Sequence, residues 1–143
     1  MYDLFTRMEV TDGVTVISVN GTLSVEGLLE ITDSGFYGLT RQAIWDHRDA
    51  SLKDLNRDKY VQLSRESTAT QYRRRTQSVA IVLNNETDLR HFRFYTLVSA
   101  RESGHRTRQF LTCSIQDAWA WLKSVEHIEN LETVDHDVPM RVV

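Results

Sequence analysis

The residue types best suited to chemistry crowd into one short stretch, Asp46-His47-Arg48-Asp49, with Ser51 two positions further on. An acid, an imidazole and a hydroxyl are the ingredients of a hydrolytic triad. A triad, however, needs the imidazole between nucleophile and acid, and groups this close along the chain argue against that geometry. The sequence carries no G-x-S-x-G elbow, no glycine-rich phosphate loop and no H-E-x-x-H. Its five histidines (47, 91, 105, 127 and 136) form no i, i+4 pair, so their spacing argues against a metal site. The single cysteine, Cys113, can make no intramolecular disulfide and no structural zinc site by itself. It abuts the start of an expected helix, where a thiol pKa can fall, although a small, partly buried residue is the commoner role. No cofactor and no catalytic residue is therefore assigned, and the chain reads as a non-enzyme.

Charge points to surfaces instead. Between Arg65 and Arg108 nine arginines face four acids, whereas from Asp117 onward six acids face two bases. A solvated basic face and an acidic tail account for this split. Phosphate groups, an anionic lipid headgroup or an acidic protein would all suit the arginines. Nucleic acid would require an overall basic domain with a recognition helix or aromatic platform, which this sequence of net charge −3 lacks. No apolar run approaches the roughly 18 residues that span a bilayer, and Met1-Tyr2-Asp3-Leu4 carries an acid where a signal peptide has bases. A cytoplasmic protein is the expectation.

The elements that would position these residues are readable in order. Two strand-like runs, Thr6–Val10 and Thr15–Val19, flank Asp12-Gly13, a strong hairpin signal. Ser24 can cap a helix whose stripe is Val25, Leu28, Leu29 and Thr32, and Gly35 and Gly38 mark the following loop. Ala43-Ile44-Trp45 is a short third strand, ended by the polar run 46–49. A polar helix is expected from Asn56 to Arg73, with Tyr60, Val61, Leu63, Ala69 and Tyr72 as its thin apolar face. Ser78-Val79-Ala80-Ile81-Val82-Leu83 has no polar alternation and reads as a strand buried on both faces. Such a strand needs layers above and below, which implies an α/β domain. Asn85 or Thr87 can cap a third helix reaching Glu102 with Leu89, Phe92, Thr96 and Ala100 inward, and Gly104 suits its end. Arg106–Thr112 supplies a fifth strand. Ser114 opens a last helix, in a capping box with Asp117, with Ile115, Ala118, Trp119 and Leu122 on one stripe. Trp119 is expected in the core and Trp121 to flank it. After Ser124 the pattern fades, so residues 1–124 form one domain and 125–143 an acidic tail.

The strand ending Trp45-Asp46, and the run Phe110-Leu111-Thr112 followed by Ile115-Gln116-Asp117-Ala118-Trp119-Ala120-Trp121-Leu122, resemble the STAS domain of anti-sigma-factor antagonists over residues 5–124. The lipid-binding CRAL-TRIO domains are related scaffolds. The resemblance implies a mixed, mainly parallel sheet of about five strands with an N-terminal hairpin and about four helices, and a regulatory role. In the sigma-regulating members a phosphorylated Ser or Thr directly follows an aspartate at the end of the third strand. Asp46 matches that aspartate, but His47 follows it and the first hydroxyl is Ser51. Ser51 as phospho-acceptor competes with a turn or capping role, which its neighbours favour.

In open α/β sheets, partners meet the loops beyond the strand C-termini. The expected working surface is therefore Asp46, Asp49 and Ser51 with Asn84, Asn85 and Ser114. Asp46 could serve recognition or accept backbone N–H bonds as a local cap. On the third helix Phe94, Tyr95 and Leu97 exceed what one face can bury beside Phe92, which points to self-association as a homodimer. Two functions remain open: a protein-interaction module, and a carrier or sensor of a small apolar or lipid ligand held between helices and sheet.

Overall fold

The computed structural model describes residues 4–32, 40–71, 76–103 and 108–137. Strands β1 (Leu4–Thr11) and β2 (Val14–Thr22) pair antiparallel through a turn in which Asp12 and Gly13 both have positive φ, 52° and 77°. Two left-handed residues make the turn that matches strand twist, and Asp and Gly tolerate that conformation best. A Cβ at Gly13 would meet nothing within 4 Å. Backbone conformation, not crowding, therefore favours glycine there.

The chain continues through α1 (Val25–Thr32), β3 (Gln42–Ser51), α2 (Arg57–Gln71), β4 (Ser78–Leu83), α3 (Glu86–Ser103), β5 (Arg108–Thr112) and α4 (Ile115–Asp137). The strands lie in chain order, β1-β2-β3-β4-β5, and every pair after the first is parallel. Local signals start the helices: Ser24 Oγ accepts Gly27 N at 3.0 Å, Asn56 Oδ1 accepts Lys59 N at 3.0 Å, and Asn85 Oδ1 accepts Asp88 N at 2.8 Å. Each satisfies an N–H that the first helical turn cannot.

All six residues of β4 are buried, because both of its faces are covered. On one face Trp45, Val79, Ile81 and Leu83 pack against Leu28, Tyr60, Leu63 and Phe92 of α1, α2 and α3. On the other, Val14, Ile44, Ala80 and Val82 meet Ala118 and Leu122 of α4, with Phe110, Trp119 and Trp121 partly buried around them.

The structure departs from the sequence reading in three places: β3, the two tryptophans of α4, and the length of α4. β3 does not stop at Trp45: Asp46 to Ser51 continue it by pairing with β2, so the polar run is strand rather than loop. Helix α2 is described over Arg57–Gln71, with Asn56 as its cap, and its expected end at Arg73 lies outside the described residues. Trp119 is half-buried, not a core residue, and Trp121 is half-buried too, stacked on Phe110 at 5.3 Å and 14°. The two indoles flank the fully buried Ala118–Leu122 line from either side. Helix α4 does not fade at Ser124 but runs to Asp137. No glycine or proline interrupts that segment before Pro139, and its Glu and Leu residues are good helix formers. In α1, Ile31 is buried and completes the stripe. The expectations at Gly35, Gly38, Tyr72, Arg73–Arg75 and Gly104, and for the side chains of Thr32, Ala69 and Ala100, lie outside the described residues.

Candidate functional site

Ser18, Asp46, Val82 and Thr112 stand in one row across four strands. Just beyond it β3 bulges: Ser18 faces Asp46 and Asn20 faces Asp49, so two β3 residues oppose Val19 alone. The Asp46 carboxylate fastens the bulge. Oδ1 accepts Arg48 N at 3.1 Å and Nε at 2.9 Å, and Oδ2 accepts a terminal guanidinium N–H at 2.8 Å. Burial pushes the Asp46 carboxyl up, but the hydrogen bonds and charge of Arg48 together outweigh it and leave the pKa below the usual aspartate value. The same bonds push the guanidinium of Arg48 up. Asp46 thus accepts a backbone N–H, as the capping alternative required, while its side chain stays 16% exposed.

His47 lies on the other face of the strand. It is 2% exposed, 5.6 Å from the Trp45 ring and edge-on to Phe92 at 5.2 Å. Neither Nδ1 nor Nε2 has a hydrogen-bond partner. Burial drives its pKa down to about 4, against the opposing pull of Asp46, so the ring is neutral near pH 7. Alternation along β3 puts Asp46 and His47 on opposite faces, which removes the triad geometry. The position after Asp46, where the resemblance implies a hydroxyl, holds a buried imidazole.

β3 outruns β4. Its pairing with β4 ends at His47–Leu83, whereas its pairing with β2 continues to Ser51. Arg48 and Asp49 are exposed on this projecting end. Ser51 closes it as a turn residue: its Oγ accepts Lys53 N at 3.3 Å and its carbonyl accepts Leu23 N at 2.9 Å. Asn84, Asn85, Glu86 and Thr87 form an exposed run after β4. Ser114 caps α4, its Oγ accepting Asp117 N at 3.2 Å, and its own N–H goes to Thr112 Oγ1 at 3.1 Å. Cys113 is exposed, yet its thiol is pushed up by burial and by the charges of Glu86 and Asp88. That direction is opposite to the activation a helix N-terminus could give. The parallel pairing of β4 with β5, which ends at Val82–Thr112, brings the turn after β4 beside the turn after β5.

Of the six residues expected at this surface, Ser51, Asn85 and Ser114 serve turns or caps, Asp46 holds the bulge, and Asp49 and Asn84 are exposed. Arg48, Glu86 and Cys113 join them. Arg48 could have been found from its i, i+2 relation to Asp46 once β3 was extended. Among the described residues, no group of three or more His, Cys, Asp or Glu side chains is gathered as a metal site. No helix among them is long and apolar enough to cross a membrane.

On the helical side, Phe94 and Leu97 are 41% and 67% exposed. Tyr95 is half-buried, its ring 5.0 Å from Tyr60 and 5.1 Å from Phe92, so it belongs to the packing between α2 and α3 rather than to a free patch. His91 also contacts Tyr60 edge-on at 5.3 Å. Among the described residues, these rings pack against one another between α2 and α3.

The architecture matches solved structures. An anti-sigma factor antagonist from Mycobacterium paratuberculosis superimposes with a TM-score of 0.51 at 14% identity, covering 84% of this chain and 94% of that one. An uncharacterised protein with a SpoIIAA-like fold from Shewanella loihica gives 0.52 at 14% identity, covering 85% and 95%. No protein-family model and no curated protein matches the sequence. The fold is therefore STAS-like, as the motifs at Trp45-Asp46 and Phe110–Leu122 implied.

Proposed function

We infer that the chain is a non-catalytic regulatory module that binds another protein through the end of the sheet where β3 outruns β4. One observation carries this reading. The projecting β3 end presents Arg48 and Asp49 to solvent, beside the exposed run Asn84–Thr87 and the exposed Cys113. These are polar groups on a rigid frame, with the bulge locked by the Asp46–Arg48 pair. Likeness to an anti-sigma factor antagonist makes a protein partner the natural class, since that neighbour is named for acting on another protein. Its regulation differs from a phosphorylation directly after Asp46, because His47 offers no hydroxyl there.

Asp49 and Asn84 are the residues to test, since Asp46 also supports the backbone. The full-length chain, immobilised, is offered the protein fraction of its own host with and without Asp49→Arg or Asn84→Arg. Capture of a partner that both substitutions abolish, at an unchanged urea midpoint, is the expected outcome. Retention of the partner by both variants, with loss in Leu97→Asp, would move the site to the outer face of α3.

A further inference from the structure

The two outer strands of the sheet, β1 and β5, are built differently. On β1 the side chains of Arg7 and Glu9 are exposed and paired at 3.2 Å. Exposed charges of this kind discourage an edge strand from pairing with another chain. On β5 the alternate residues Gln109 and Leu111 carry no charge.

The backbone of β5 alternates in direction. Arg108 N donates to the Gln77 carbonyl at 2.8 Å, one residue before its register partner Ser78, as parallel pairing requires. Arg108, Phe110 and Thr112 therefore turn their N–H and C=O groups to β4, and Gln109 and Leu111 turn theirs outward. Among the described residues nothing bonds these outward groups, and Gln109 is exposed. Such a row of donors and acceptors is a template for another strand.

The side chains around this edge are apolar and only partly covered. Leu111 is half-buried on the face of α1, α2 and α3, and Phe110 and Trp121 are half-buried on the face of α4. Helix α3 packs on β4 and β5 and, to one side, on α2. His91 and Tyr95 turn to Tyr60 of α2. Arg93 and Leu97 come two residues after them, about 200° around the helix. They therefore look away from α2, on the side of the β5 edge. Leu97, at 67%, is the most exposed large apolar side chain among the described residues.

We propose that β5 pairs antiparallel with β5 of a second copy of this chain, about a two-fold axis through Phe110, joining the two five-stranded sheets into one. In this register Gln109 faces Leu111 of the second copy, and Leu111 faces its Gln109. These are the residues with outward groups, so each pair exchanges two hydrogen bonds, about four in all. Phe110 meets its counterpart on the axis, and aromatic cross-strand pairs add to strand pairing. Arg108 stands opposite Thr112 of the second copy, so no like charges face each other. Charge also favours this register. Glu86 and Asp88 act on Cys113, which places them beside the C-terminal end of β5. The two-fold lays the Arg108 end of one copy beside that acidic end of the other. A single self-complementary contact closes the assembly at two. The contact uses the β5 edge, whereas the proposed partner surface is tested at Asp49 and Asn84, so either reading can fail without the other.

Sedimentation of the full chain at 5–100 µM, roughly the range in which moderate dimers are seen, tests it, together with amide exchange at both ends of that range. A dimer is expected, and the Gln109 and Leu111 amides should exchange at least about threefold more slowly at the higher concentration. Gln109→Pro removes an outward N–H and no bond to β4, a change that an edge strand tolerates. Leu97→Asp alters an exposed side chain and sets like charges near the axis. Each should weaken the dimer at least about tenfold, with the urea midpoint at 5 µM unchanged. If Gln109→Pro fails to fold, Leu97→Asp and the exchange rates decide. A parent monomeric at 100 µM would overturn the proposal. So would a dimer whose affinity survives Leu97→Asp, or one that slows exchange at Thr6 and Val10 of β1 instead of at Gln109 and Leu111.

Discussion

Acidification should loosen this fold through His47 before it reaches the carboxylates. The buried ring has a pKa of about 4, against an ordinary value of 6.5 in the unfolded chain. Between those values the folded state binds fewer protons than the unfolded one, so stability rises with pH across the window and falls as pH drops through it. A shift of this size corresponds to about 3 kcal/mol at 1.36 kcal/mol per pH unit. That is a large part of the roughly 5–15 kcal/mol that holds a domain together. Asp46 acts in a different window. Its pKa is depressed below 3.8, so its contribution is intact above that value and is lost as pH falls through the lower, folded one. His47→Leu keeps a side chain of similar size against Trp45 and Phe92 and deletes two buried nitrogens that lack partners. The variant should gain about 1 kcal/mol at pH 7, from removal of unsatisfied polar atoms. Its stability should also be nearly flat between pH 6.5 and 4. Urea unfolding followed by far-UV circular dichroism at several pH values reads both effects. A variant with the parent's slope would refute the reasoning, as would an imidazole that titrates near 6.5 by NMR in the folded parent.

Two further outcomes follow from local contacts. Ser114→Ala should cost about 1 kcal/mol in urea, the usual worth of an N-cap, whereas Ser114→Asp should cost little; equal losses would separate the effect from capping. Trp119→Ala and Trp121→Ala should each destabilise by about 2 kcal/mol, below the 3–5 kcal/mol of a fully buried indole, because each ring is half-buried. A negligible loss for Trp121 would show that its stacking on Phe110 contributes nothing.

Features set by neighbours in sequence were legible. The apolar run of β4, the Asp12-Gly13 turn and the capping residues Ser24, Asn85 and Ser114 each act within a few positions, so residue type and spacing reveal them. β3 was cut short because Asp46, Arg48 and Asp49 look like a loop by composition. What makes them strand is pairing with β2, some 30 residues earlier, and a bulge that residue types do not announce. The site followed the same division: Asp46 was found by its place after Trp45, but its grip on Arg48 depends on the bulge. Tyr95 was grouped with Phe94 and Leu97 because a helix stripe alone does not say which neighbour α2 supplies. Tyr60 is what draws Tyr95 inward.

Strand order equal to chain order has a consequence for how the protein is made. As the chain emerges during synthesis, each new strand can dock on the one just before it, and α1, α2 and α3 cover the same face in turn. Each parallel pairing still has to close the crossover between neighbouring strands, so it forms more slowly than the β1–β2 hairpin. The opposite face behaves differently. Ile44, Ala80 and Val82 stay uncovered until α4 arrives after β5. A nascent chain therefore carries an open apolar strip through most of its synthesis, and a folding helper would find it there. Ala118 and Leu122 are the residues that close it.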